Sequence, residues 1–233
     1  MQIAGFQKLT LLDYPGRTAA TVFTPGCDFR CPFCQNRDLV IPGRDGFPSV
    51  PMEDLLSFLG KRRGLLDGIC ITGGEPLMQP GIEAFCAQMK EMGFLVKLDT
   101  NGSFHDRLRC LVDQGFVDYV AVDVKNRPER YAETVGIEDL DLSPVCETVA
   151  YLLEGAVDYE FRTTVVDGLH EEADLIGLAR WVEGATAWYL QQFVDSESVL
   201  AGEGTFRAWE PERLRAVLPK LREIVPTVGL RGL

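Results

Sequence analysis

The sequence predicts an α/β protein built on a parallel sheet. Apolar runs rich in β-branched residues alternate six times with segments of helical period along the 233 residues. Such alternation implies right-handed strand–helix–strand crossovers. Six units are too few to close an eight-unit barrel, so two architectures stay open: an open partial (β/α)6 TIM-like barrel and a doubly wound sheet. No linker-like tract divides the chain, and we expect a single domain over residues 1–233.

The individual elements follow from apolar period and from residues typical of helix ends. The predicted strands cover residues 18–23, 67–72, 94–100, 117–125, 157–166 and 187–194. The predicted helices cover residues 51–63, 81–93, 105–115, 143–155, 171–184 and 210–224. Between the first strand and the first helix, residues 35–50 are expected to form a long ordered loop.

Composition and charge disfavour several classes of protein. The formal net charge is −12, so nucleic acid is not an expected partner. No run approaches the roughly 18 consecutive apolar residues of a membrane span, and the first residues lack the pattern of a signal peptide. The seven cysteines are an odd number, which argues against a disulfide framework. We therefore expect a cytoplasmic protein, in whose reducing surroundings clustered cysteines are more often metal-binding or catalytic.

Three cysteines lie on one short loop after the first predicted strand. Cys27, Cys31 and Cys34 are spaced C-x3-C-x2-C. A structural zinc site needs four ligands. The other four cysteines are scattered without a C-x2-C partner, and we predict that they fill the core: Cys70, Cys86, Cys110 and Cys146. A site with three thiolates keeps one position open, and a [4Fe–4S] cube held by three thiolates leaves one iron free for another ligand.

Further polar motifs follow the next predicted strands, at the edge where α/β sheets bind their ligands. The segment TGGEP (72–76) offers glycines that let a ligand approach the backbone, and a carboxylate, Glu75, that can accept hydrogen bonds from an ammonium group. The segments LDTNG (98–102) and VDVK (122–125) follow, and the fifth strand carries Arg162. A single cation at a strand end is usually a solvated surface charge, but two of them in an acidic protein, on strands that carry the other motifs, favour a functional role for both.

The cysteine loop, with Phe33 immediately before its third cysteine, resembles the signature of the radical S-adenosylmethionine (SAM) enzymes. That resemblance implies a partial barrel of the radical SAM type and catalytic Cys27, Cys31 and Cys34 holding one [4Fe–4S] cluster, whose fourth iron is chelated by SAM. It places Phe33 near the adenine. The resemblance further assigns the SAM amino group to Gly73, Gly74 and Glu75. Lys125 can then pair with the SAM carboxylate as a point charge, and Arg162 is expected as a second cation at the same opening of the barrel. Asp99, Asn101 and Gln192 are also expected to bind this cofactor, and a monovalent cation is expected at Asp99, Thr100 and Asp123.

A longer stretch, residues 8–36, is similar to the start of the anaerobic ribonucleoside-triphosphate reductase activating proteins. TGGEP, KLDTNG, DVK and EFRTTVV follow in that family's order. The resemblance implies reductive cleavage of SAM and removal of a hydrogen from one glycine of a partner glycyl radical enzyme, expected to be anaerobic ribonucleotide reductase. It also implies a flavodoxin or ferredoxin as electron donor and an anaerobic role. The chain departs from the family at Gln35, Asp167, Val194 and Asp195, which puts the partner-facing surface in question.

Two other functions remain compatible with parts of this pattern. A small radical SAM enzyme acting on a small molecule, such as a 7-carboxy-7-deazaguanine synthase, would share the reduced barrel and the cofactors. A regulatory module that senses oxygen or metal through the three cysteines would need none of TGGEP, LDTNG or VDVK. Detection of SAM cleavage separates the enzymes from the module, and the identity of the product separates the two enzymes.

Overall fold

A nine-stranded sheet forms the centre of the computed structural model, which describes residues 1–232. The strands are β1 Gly5–Thr10, β2 Ala19–Thr24, β3 Gly68–Gly73, β4 Leu95–Thr100, β5 Tyr119–Asp123, β6 Asp158–Asp167, β7 Trp188–Gln192, β8 Arg207–Ala208 and β9 Val228–Arg231. The helices are α1 Arg37–Val40, α2 Met52–Gly60, α3 Ile82–Glu91, α4 His105–Asp113, α5 Tyr131–Val135, α6 Ser143–Leu153, α7 Glu172–Trp181 and α8 Pro211–Arg222.

Strand order decides between the two predicted architectures. The strands pair in the order β1-β2-β3-β4-β5-β6-β7-β9, and β8 adds to β6. All neighbours from β2 to β9 along this path are parallel, whereas β1 is antiparallel to β2. A doubly wound sheet reverses its strand order at a switch point, and this sheet does not. Sequential parallel strands with right-handed crossovers place their helices on one side, which gives the open partial barrel.

All six predicted strands and all six predicted helices are present, within three residues at each end. The sequence pattern missed β1, because this edge strand is mostly exposed and lacks an apolar face. It also missed β9, so the parallel part of the sheet has seven strands rather than six. The predicted long loop contains the short helix α1. The single domain over residues 1–233 stays a prediction.

The two faces of the sheet have opposite chemical character. Apolar side chains such as Leu98, Val120 and Phe161 are fully buried in the core. Residues that alternate with them along β4 and β6 are charged, among them Lys97 and Arg162. The polar side chains therefore fill the inside of the partial barrel and lead to its carboxyl end. None of the helices in residues 1–232 has the length and apolar character needed to cross a membrane.

Candidate active site

The cysteine loop lies over the carboxyl end of the barrel. Cys27, Cys31 and Cys34 line one cavity of about 440 Å³, a size suited to a cofactor-sized ligand. Backbone contacts from distant segments hold the loop: Arg30 N–H donates to the Val135 carbonyl at 2.9 Å, and Leu200 N–H donates to the Cys34 carbonyl at 2.8 Å. The loop is thus fixed by the ends of other β/α units rather than by its own secondary structure.

The side chains that line the cavity match a cluster with one open position. Among residues 1–232, the cavity lining contains three thiols but no fourth cysteine and no histidine. A structural zinc site takes four Cys or His ligands, whereas a [4Fe–4S] cube held by three thiolates keeps one iron open. Burial raises the pKa of Cys31 to about 12 and also raises that of Cys27, so each thiol must lose a proton when it binds iron. The donor set therefore fits a cluster with one open iron.

The remaining cysteines lie outside this cavity. Cys70 and Cys86 are fully buried, as predicted. The prediction is wrong for Cys110, which is exposed, and Cys146 is only partly buried. The reason for Cys110 is helical phase, since α4 buries Leu108, Leu111 and Val112 and turns position 110 toward solvent.

The glycines of TGGEP allow two loops to meet. A side chain at Gly74 would place its Cβ 1.9 Å from the Gly26 carbonyl oxygen, and one at Gly73 would place it 2.4 Å from that of Thr24. Both glycines line the cavity, so their backbone is open to a ligand on one side while the cysteine loop presses on the other. The sequence predicted that these glycines let a ligand approach the backbone. It did not predict that they also let the cysteine loop pack closely against TGGEP.

Glu75 lies behind the cavity lining rather than in it. Its carboxylate is fully buried and accepts hydrogen bonds from Leu77 N–H at 2.9 Å, Thr100 Oγ1 at 2.8 Å and Asn101 N–H at 2.7 Å. Burial raises its pKa to about 7 against the opposing effect of these donors. These contacts tie TGGEP to LDTNG, and contact between Glu75 and SAM stays a prediction.

A chain of charged side chains forms the floor of the cavity. Arg162 lies between two carboxylates, donating from Nη1 to Asp99 at 3.0 Å and from Nε to Asp123 at 2.9 Å. Asp123 also pairs with Lys125 at 3.1 Å, and Asp99 pairs with Lys97. Burial opposes ionisation of both carboxyls, but the neighbouring cations hold the pKa of Asp99 and of Asp123 below the usual range.

One member of this chain of charges, Lys97, was not predicted from the sequence. Lys97 precedes Asp99 by two residues, and that spacing on a strand is the only signal that it shares the interior face. The predicted monovalent cation stays a prediction, and the positive charge that it would bring between Asp99 and Asp123 is already supplied by Arg162. The hydroxyl of Thr100 is directed at Glu75.

The last predicted strand places Gln191, not Gln192, in the cavity lining. Gln192 donates from Nε2 to the Trp209 carbonyl at 3.0 Å. Successive side chains of a strand point to opposite faces, so a shift of one residue exchanges the inside for the outside. The remaining predicted residues, Phe33, Lys125, Arg162, Asp99, Thr100, Asn101 and Asp123, all line the cavity.

The chain is similar in sequence to one protein family and to several known proteins. The family model described as the radical SAM superfamily matches residues 21–181. A protein of Methanocaldococcus jannaschii named as a glycyl-radical enzyme activating enzyme is 29% identical over 95% of this chain and 88% of its own length. The pyruvate formate-lyase 1-activating enzyme of Escherichia coli is 29% identical over 74% of this chain and 71% of its own length. The 7-carboxy-7-deazaguanine synthase of Thermoplasma acidophilum is 25% identical over 72% of this chain and 76% of its own length.

Solved structures support the fold. The structure of Streptococcus suis SuiB bound to S-adenosylmethionine matches with a TM-score of 0.68 at 13% identity, over 91% of this chain. The chain spans about half of SuiB, 52% of its length. Enzymes of the matched superfamily use a [4Fe–4S] cluster and SAM, and the three thiols and the cavity that they line fit both groups. The chain belongs to the radical SAM superfamily, and its relatives within that superfamily include glycyl-radical enzyme activating enzymes.

Proposed function

We propose that this protein is a radical SAM activase that removes a hydrogen from a glycine of a partner glycyl radical enzyme. The observation that carries the proposal is the placement of three cysteine thiols and a row of paired charges around one cavity, in a chain that is similar over 95% of its length to an activating enzyme. When bound by the three thiols and the cavity lining, the cluster and SAM would supply the one-electron chemistry needed to remove a hydrogen atom from a glycine.

The charges on the cavity floor suit the methionine part of SAM. Lys125 and Arg162 both line the cavity and stay cationic, because Asp123 holds their pKa values high against the effect of burial. We assign the SAM carboxylate to these two cations. Each is already tied to Asp123, so its position is fixed before the ligand arrives and little ordering is needed on binding.

The residues that line the cavity away from its charged floor suit the adenine, the amino group and the ribose of SAM. Phe33 is almost fully buried yet lines the cavity, so its ring can pack against the adenine without moving. Gly73 and Gly74 offer backbone to the amino group. We assign the ribose hydroxyls to the Asp99 side, and Gln191 replaces Gln192 as the residue of β7 that can face the ligand.

The partner and the electron donor are the finer part of the proposal. The resemblance of residues 8–36 to the activating proteins of anaerobic ribonucleoside-triphosphate reductase favours that reductase as the partner. The deazaguanine synthase relative has lower identity and covers less of the chain than the activating enzyme does, so we do not favour a small-molecule substrate. A flavodoxin or ferredoxin is the proposed source of the electron.

The test is to incubate the reconstituted, reduced protein anaerobically with SAM and an anaerobic ribonucleotide reductase. We expect the doublet of a glycyl radical in the electron paramagnetic resonance spectrum of the partner, and its absence when the partner's target glycine is replaced by alanine. SAM cleavage with no partner radical, together with formation of 7-carboxy-7-deazaguanine from its precursor, would overturn the activase proposal in favour of the synthase.

A further inference from the structure

Asn101 makes contacts that a residue serving SAM alone would not need. It is nearly fully buried, with 7% exposed, and lies at the turn after β4. Its backbone N–H donates to Glu75 at 2.7 Å. Its side-chain Nδ2 donates to Asp28 Oδ1 at 2.8 Å and lies 3.9 Å from Cys27 Sγ. One residue thus joins TGGEP, LDTNG and the first cysteine of the loop.

The orientation of the carboxamide is fixed by a neighbour. Ser103 donates to Asn101 Oδ1 from its backbone N–H at 2.9 Å and from its hydroxyl at 2.6 Å. With two donors on the oxygen, the amide nitrogen must face Asp28 and Cys27. Asp28 is the carboxylate next to the first cysteine, and its Oδ1 lies 3.9 Å from Cys27 Sγ. The amide therefore partly neutralises a negative charge that would otherwise face the cluster.

We infer that Asn101 is a positioning residue for the iron–sulfur cluster: its amide N–H groups hold Asp28 and face Cys27, and thereby raise the reduction potential of the cluster. The inference rests on the proposed function. Donors directed at cluster sulfurs, and shielding of nearby carboxylates, stabilise the extra electron of the reduced state. Cys34 receives a similar donor from the backbone N–H of Asn36 at 3.4 Å, which no side-chain substitution removes.

The primary test is a potentiometric titration of the holoenzyme without SAM, followed by electron paramagnetic resonance. In Asn101→Ala we expect the ratio of reduced to oxidised cluster at a fixed potential to fall about threefold, a shift of about 30 mV to more negative potential at 59 mV per tenfold change. Asn101→Asp keeps the acceptor for Ser103 but replaces the donor with a second carboxylate, so its shift should be larger.

Asn36→Ala is the matched control, because it removes a carboxamide from the same cavity. The Asn36 side chain donates from Nδ2 to the Gly73 carbonyl at 3.2 Å, and the backbone donor to Cys34 remains. We expect this variant to titrate at the wild-type potential. Equal potentials for wild type and both Asn101 variants would overturn the inference.

A second measurement covers variants that take up little iron. In the apoprotein, amide hydrogen exchange at residues 27–31 should be faster in Asn101→Ala than in wild type, because the link between the two loops is lost, and unchanged in Asn36→Ala. Wild-type exchange in Asn101→Ala would contradict the positioning role. These results differ from failure of the proposed function, in which the wild-type protein itself would bind no cluster or cleave no SAM.

Discussion

The inside of the barrel contains two layers of charged side chains. They differ in the number of cationic side chains that pair with each carboxylate. In the upper layer, beside the cavity, Asp99 and Asp123 share Arg162, and each has a lysine of its own. In the lower layer, Glu160 is nearly fully buried and has one cationic partner, Arg231, which donates to its two oxygens at 2.9 and 2.7 Å. The upper layer therefore holds three cations for two carboxylates, an excess of positive charge beside the cavity, whereas the lower layer is a closed pair that holds strands β6 and β9 together.

Substitution of Arg162 in the upper layer should have the largest effect on SAM binding. In Arg162→Met, each carboxylate keeps its lysine, so we expect a loss of unfolding free energy of only about 1 kcal/mol. The SAM carboxylate loses a charged donor worth about 2 kcal/mol or more, which corresponds to a rise in the dissociation constant of roughly 30-fold. Equilibrium binding of SAM to the reconstituted protein and denaturant unfolding of the apoprotein measure the two effects. A large loss of stability with unchanged SAM affinity would reverse the assignment of the layers.

Substitution of the lower layer should give the opposite result. Arg231→Met leaves the Glu160 carboxylate buried with only the Tyr119 hydroxyl, at 3.3 Å, as a partner. Because an uncompensated buried charge is costly, we expect a loss of about 3 kcal/mol in unfolding free energy. SAM affinity should stay within about twofold of wild type, since neither residue lines the cavity. Denaturant unfolding and SAM binding in the same buffer make the comparison, and a tenfold loss of affinity would contradict it.

The buried carboxyl group of Glu75 should make the free energy of unfolding depend on pH. Burial raises its pKa from the usual 4.5 to about 7, so between these pH values the folded state binds more protons than the unfolded state. Stability from this group is therefore greatest below about pH 4.5, falls as the pH rises to about 7, and is constant above. The upper limit of the change is roughly 3 kcal/mol.

The measurement for Glu75 is the difference in unfolding free energy between wild type and Glu75→Gln from pH 5 to pH 8 in the apoprotein. Glutamine does not titrate, so the difference should change in favour of the variant as the pH rises. Parallel curves for the two proteins would show that Glu75 is ionised throughout this range.

Substitution of an exposed ion pair should change the unfolding free energy least. Lys220 pairs with Glu172 between α8 and α7, and both side chains are about half exposed. Solvent screens such pairs, so Lys220→Met should change the unfolding free energy by less than about 1 kcal/mol and leave SAM binding unaltered. A change as large as that of Arg231→Met would mean that burial does not explain the difference between the layers.

The sequence was informative where chemistry requires particular residue types. The C-x3-C-x2-C spacing and the strand-end motifs predicted the cavity lining at all three cysteines and at Lys125 and Arg162. The sequence was less informative where the placement of a side chain depends on tertiary contacts. The structure places Gln191 in the cavity lining rather than Gln192, and the end of β7 has no alternation that distinguishes the two positions, since both are glutamine.

Partners across the barrel could not be predicted either. The pairing of Glu160 with Arg231 joins residues 71 positions apart, on a strand that the apolar pattern did not reveal. The contact of Asn101 with Asp28 joins two loops 73 positions apart, and no local signal in either loop indicates it. Such contacts follow from strand order and register, which composition and periodicity do not specify.

The most direct test of the central claim compares two cysteine substitutions in one assay. Wild type, Cys31→Ala and Cys110→Ala would be reconstituted with iron and sulfide under anaerobic conditions, reduced with dithionite and supplied with SAM, and 5′-deoxyadenosine would be quantified by mass spectrometry. Cys31 lines the cavity and Cys110 is exposed on α4, so we predict abundant product from wild type and Cys110→Ala and none above background from Cys31→Ala. Equal product from the two variants, or none from wild type, would contradict the assignment of the three thiols to a catalytic cluster.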